Sequence, residues 1–77
     1  MLKATYVLAR VSKGGSLEFI EKIDTEYDNN DTTFTLPLAK RFSSKETAFA
    51  AMRLVNVIDH KGGGFKVMQF ELKEVKE

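Results

Sequence analysis

Ser43-Ser44-Lys45-Glu46-Thr47-Ala48-Phe49-Ala50-Ala51-Met52-Arg53-Leu54-Val55-Asn56-Val57-Ile58-Asp59-His60, followed at once by Lys61-Gly62-Gly63-Gly64, is the stretch of this chain with a helical period. Successive helical residues turn by about 100°, so Ala48, Ala51, Met52, Val55 and Ile58 fall on one apolar stripe, with Leu54 at its edge. Arg53, Asn56 and His60 lie opposite, with Phe49 among them. Ser43 and Glu46 have the S-x-x-E spacing of a capping box, and Phe42 stands just before the cap as a staple residue. Lys61 suits the negative end of the helix, and the glycines terminate it. The expectation is a helix over 43–60 with one apolar face.

The rest of the chain alternates with a period of two, the mark of strands. Over residues 2–11, Leu2, Ala4, Tyr6 and Leu8 take one face, and Lys3, Thr5, Val7, Ala9 and Val11 the other. Ser12-Lys13-Gly14-Gly15 is turn chemistry, because glycine reaches positive φ without a Cβ clash. Residues 16–23 alternate again and hairpin onto the first strand. Residues 24–31 are polar and acidic, and Asn29-Asn30-Asp31 favours a turn. Thr32-Thr33-Phe34-Thr35-Leu36 reads as a short third strand stopped by Pro37, which has no N–H for a ladder. Residues 65–73 read as a fourth strand, and 74–77 as a frayed tail.

The order β-β-β-α-β implies an α+β domain spanning 1–77, a four-stranded, mostly antiparallel sheet with one helix packed on one face. The expected core is Tyr6, Leu8, Phe19, Phe34, Leu36, Met52, Val55, Ile58, Met68 and Phe70. The helix-free face is then left with Val7, Ala9, Val11, Ile20, Phe65 and Val67, more apolar than a solvated face needs. Such a patch marks a contact surface, which makes Val7, Ala9, Ile20, Phe65 and Val67 the expected partner interface.

Composition narrows the chemistry. Seventy-seven residues, 43% apolar and 30% charged with a net charge of +1, make a small globular chain. A chain of this size buries only about 60% of its unfolded surface, leaving little material for a deep cleft, and dimerisation would add buried area. With no Cys and one His, disulfides, thiolate nucleophiles and paired-imidazole sites are excluded. Asp24-x-Glu26-x-Asp28 has the acid spacing of a calcium loop, but the sixth and twelfth positions are Asn29 and Thr35 where an EF-hand needs Gly and Glu. His60 and Asp59 are helix neighbours that do not face each other. Gly62-Gly63-Gly64 follows a helix, whereas phosphate loops precede one. No nucleophile-elbow motif surrounds a serine. No enzyme, metal or cofactor is expected. Met1 to Val11 is broken by Lys3, Thr5 and Arg10, and no apolar run reaches the ~20 residues of a membrane span, so a soluble cytoplasmic protein is expected.

Charge is segregated along the chain. Residues 1–17 sum to +3, residues 18–31 to −5 and residues 32–66 to +4. Asp24, Glu26, Asp28 and Asp31 form an acidic loop able to contribute electrostatically to a protein contact. Lys40, Arg41, Lys45, Arg53 and Lys66 form the alternative, a basic surface for nucleic acid with Phe49 and Phe65 beside it. Phe49 is either covered by Phe42 or an exposed anchor, and cover by Phe42 is favoured.

Ala39-Lys40-Arg41-Phe42-Ser43-Ser44-Lys45-Glu46-Thr47-Ala48 resembles the strand-to-helix junction, of form A-K-R-F-x-S-K-E-x-A, of small phage and prophage proteins of Gram-positive bacteria. The resemblance implies a cytoplasmic accessory protein of phage or mobile-element origin. Proteins of that size and source include host-takeover inhibitors that act by binding. Phe42 to Ala48 is also similar to the F-x-[ST]-K-x-x-A helix opening in arm-type DNA-binding domains of phage integrases, which lay a sheet into the major groove. The expected function is noncatalytic binding of protein, host or self, through the open sheet face or as a homodimer.

Overall fold

A computed structural model describes residues 5–24, 29–58, 64–69 and 75. Strands β1 (Tyr6–Val11), β2 (Leu17–Asp24), β3 (Asn29–Thr33) and β4 (Lys66–Gln69) form one sheet in the order β3-β2-β1-β4. Every ladder is antiparallel. Helix α1 (Lys45–Ile58) lies between β3 and β4 in sequence and packs on one face of the sheet. The chain is thus an α+β fold of the expected order.

The first hairpin closes as its sequence dictates. Gly15 N–H donates to the Ser12 carbonyl at 2.9 Å, and Ser12 N–H to the Ser16 carbonyl at 2.8 Å. Gly15 sits at φ 86°, so the turn ends on a left-handed residue that glycine supplies without a Cβ penalty. The ladder then runs Val11↔Leu17, Arg10↔Glu18 and Ala9↔Phe19. Beyond that pair β1 and β2 part. The β2–β3 register shifts between Ile20 and Lys22, and a bulge of this kind bends its strand and raises its twist. It also resets the alternation, so that Ile20 and Ile23 both pack on the helix side.

The connector into α1 occupies the gap. Lys40 N–H donates to the Ile20 carbonyl at 2.8 Å on the β2 side. On the β1 side Tyr6 and Phe42 exchange both backbone bonds, at 2.9 and 2.8 Å. The chain passes here from one face of the sheet to the other: Ala39 packs on the helix-free side and Phe42 on the helix side.

Two clusters result. Leu8, Ile20, Phe42, Ala48, Phe49, Val55, Phe65 and Val67 are buried under α1, with Tyr6, Met52 and Val75 among the residues packed against them. Val7, Ala9, Phe19 and Ala39 are buried on the other side, flanked by Leu17, Leu36 and Met68. The cover there is a 3-10 turn, Leu36–Leu38. With three residues per turn, Leu36 and Ala39 eclipse and both point inward.

Several expectations change. The third strand runs Asn29–Thr33 rather than 32–36, because Asn29, Asn30 and Asp31 continue the ladder opposite Asp24, Ile23 and Lys22. Asp24 and Asp31, expected in an acidic loop, are therefore strand residues of β2 and β3, and Glu26 and Asp28 lie outside the described residues. Pro37 sits in the first positions of the 3-10 turn, where its missing N–H costs nothing, and this draws Leu36 out of the strand. Phe34 is exposed instead of core. The helix is capped by Ser44, whose hydroxyl accepts the Thr47 N–H at 3.2 Å, one residue later than the capping box over Ser43 places it. Val75, assigned to a frayed tail, donates its N–H to the Val67 carbonyl at 2.8 Å and packs on the core. Phe70 and the Asp59–Gly63 stretch lie outside the described residues.

Candidate functional surfaces

The five residues expected at a partner interface are core. Val7, Ala9, Ile20, Phe65 and Val67 are all buried. Alternation separates the two faces of each strand but does not say which face of one strand matches which face of the next. The pairing Ala9↔Phe19 puts Phe19 with Val7 and Ala9, and the pairing Leu8↔Val67 puts Val67 under the helix with Leu8. Ile20 and Phe65 are on the helix side for the same reason. These five stabilise the fold and present no contact area.

Exposed apolar area lies elsewhere. Val11 is 68% exposed, Phe34 62%, Leu38 59% and Val57 84%, with Leu54 also exposed. Val11 continues the Val7–Ala9 side of β1 past the end of its cover and pairs with half-buried Leu17. Leu38 points outward from the 3-10 turn because Leu36 and Ala39 point inward. The helix-free side thus has a thin lid with Val11 and Leu38 outside it. Val11 was legible from alternation, whereas Leu38 was missed; the three-residue spacing of Leu36 and Ala39 marks it only once a 3-10 turn is assigned.

The basic residues divide. Lys66 pairs with Ala9 and so belongs to the helix-free side. Lys45 and Arg53 flank an open depression on α1 that Phe49 floors and Glu46 also lines. Phe49 is buried in the same cluster as Phe42, as cover by Phe42 requires. The Lys40 ammonium lies 5.8 Å from the Phe42 ring centroid. The Ser44 hydroxyl that caps the helix donates to Glu46 Oε2 at 3.1 Å. The Glu46 backbone amide, then this hydroxyl, and to a smaller extent Lys45, hold the Glu46 carboxyl below its ordinary pKa.

Two polar clamps set the geometry beneath these surfaces. Asn56 donates to the Phe65 carbonyl at 3.1 Å and accepts the Phe65 N–H at 2.9 Å, fixing the entry of β4 against α1. Arg10 lies 4.3 Å above the Phe65 ring and its Nε reaches Glu18 Oε1 at 2.8 Å, with both side chains largely buried. Arg10 is therefore tied into the fold.

Among the described residues no three of His, Cys, Asp and Glu converge as a metal-ligand set. None of the described helices is long and apolar enough to cross a membrane. His60 and Asp59 lie outside the described residues. No family model, curated protein or solved structure matches the chain.

Proposed function

We propose that this chain is a small noncatalytic protein-binding module that engages its partner, a host protein or a second copy, through the helix-free side of the sheet. The observation that carries the reading is the exposure of Val11 and Leu38 above a core covered on that side by a single 3-10 turn. Large apolar side chains exposed on one side of the sheet stabilise a complex when water leaves them, at about 25 cal/mol per Å² of apolar surface. A phage or mobile-element origin rests on the Ala39–Ala48 junction motif.

The nucleic-acid reading is less well supported. Lys66 is on the opposite side of the sheet from α1, so the five basic residues do not share one surface, and the Phe65 ring is buried beneath Arg10.

The test pairs the wild-type chain with a Val11→Lys/Leu38→Glu double variant. Light scattering across a concentration series reads self-association, and quantitative affinity capture from bacterial cytosol reads a host partner. A dimer or a partner present with the wild type and lost with the variant, at unchanged thermal stability, is expected. Identical behaviour of the two proteins in both measurements refutes the reading.

A further inference from the structure

The α1 depression matches a particular pattern in a ligand. Lys45, Phe49 and Arg53 stand at i, i+4 and i+8 on one side of the helix, so their Cα positions step along the axis by about 6 Å each. An extended peptide places residues j, j+2 and j+4 on one side with steps of about 6.6 Å. From this match we infer that α1 docks an extended acidic segment of a partner protein, of pattern acid-x-apolar-x-acid, with its carboxylates on Lys45 and Arg53 and its apolar side chain over Phe49. The inference rests on the protein-binding reading above and names a second contact, on the opposite side of the sheet.

Charge complementarity selects this occupant. Lys40 is exposed beside the Phe42 ring and Lys45 and Arg53 beside Phe49, with Arg41 exposed on the connector between Lys40 and Phe42. Glu46 lies in the same depression with its carboxylate held by the Ser44 hydroxyl. A continuous polyphosphate backbone crossing α1 would run over that carboxylate. Carboxylates spaced four residues apart straddle it, and the intervening apolar residue meets the phenyl floor.

The experiment follows amide shifts of the isotope-labelled full chain on titration with the probe peptide Gly-Gly-Glu-Ser-Leu-Ser-Glu-Gly-Gly at low salt. Shifts are expected at Lys45, Phe49 and Arg53 and at the adjoining Lys40–Phe42 connector. Binding should weaken several-fold between about 50 and 200 mM salt. It should weaken about three- to fivefold in each of Lys45→Gln and Arg53→Gln, both exposed positions, and at least as much for an isomeric peptide with its two Glu adjacent. Equal binding of the isomer, shifts centred elsewhere, no shifts at low salt, or tighter binding of a single-stranded oligonucleotide of equal charge would each overturn the inference. Val11→Lys/Leu38→Glu should leave the titration unchanged, so failure here and failure of the helix-free contact are separately visible.

Discussion

Replacing Asn30 and Asn56 by leucine, the same chemical change at two sites, should move stability in opposite directions. Asn30 lies on β3 opposite Ile23, on the helix side of the sheet. Its Oδ1 is buried with no hydrogen-bond partner, and its amide reaches only the Val55 carbonyl at 3.4 Å, the long limit of such a bond. An unsatisfied buried acceptor costs about 1–3 kcal/mol, and strands favour large apolar residues over Asn by some fraction of 1 kcal/mol. Since Asn30 is only half-buried, a net gain of about 1 kcal/mol is expected for Asn30→Leu, equivalent to a Tm rise of about 4–8 °C in a domain of this size. Asn56 satisfies both backbone groups of buried Phe65. Its removal strands a donor and an acceptor at about 1–3 kcal/mol each, offset by less than about 0.7 kcal/mol of improved helix propensity. Asn56→Leu should therefore lose between about 1.5 and 5 kcal/mol. Urea titration followed by circular dichroism measures both changes, with unchanged m-values confirming that native stability has moved. A loss for Asn30→Leu, or a gain for Asn56→Leu, would refute the assignment of one amide as unsatisfied and the other as a clamp.

Three further outcomes are expected. Ser44→Ala should cost about 1 kcal/mol in thermal or chemical denaturation while Ser43→Ala is neutral, because the Thr47 amide is capped by Ser44. Carboxyl NMR titration should find Glu46 below the ordinary glutamate value near 4.3 and returning toward it in Ser44→Ala; since a depressed folded pKa contributes stability that is present above the unfolded value, the contribution is lost as pH falls through the folded pKa. Gly15→Ala, at φ 86° with open space around its Cβ, should lose about 1–2 kcal/mol from backbone conformation alone, whereas Gly14→Ala should be neutral or stabilising by up to about 1 kcal/mol, both by thermal denaturation.

Short-range signals were the legible part of the fold. The 3.6-residue stripe located α1, and Gly14-Gly15 located the first hairpin, because each depends on neighbours within one or two turns of chain. The α+β class followed from counting those elements. Facing was not legible, because the phase between two strands is set by register. Phe19 changed sides on the pairing Ala9↔Phe19, and Ile23 joined Ile20 through a bulge that no local residue advertises. The interface expectation failed for that reason at Ile20, Phe65 and Val67, which lie under α1, whereas Val7 and Ala9 lie on the helix-free side as expected and are buried there beneath Leu36 and Ala39. Phe49 was half legible: on the wheel it sits among polar residues, and the nearby Phe42 supplied its cover. Asn56, placed opposite the apolar stripe, is a clamp because Phe65, the residue leading into β4, exchanges both backbone bonds with it.

The passage of Lys40–Phe42 between β1 and β2 has a consequence for cooperativity. In most layered folds a helix can lift from its sheet and leave the strands knitted together. Here the segment leading into α1 is itself a stitch holding the two central strands. Peeling α1 away therefore tugs on that stitch and opens the middle of the sheet, so a local excursion of the helix becomes a breach of the whole domain.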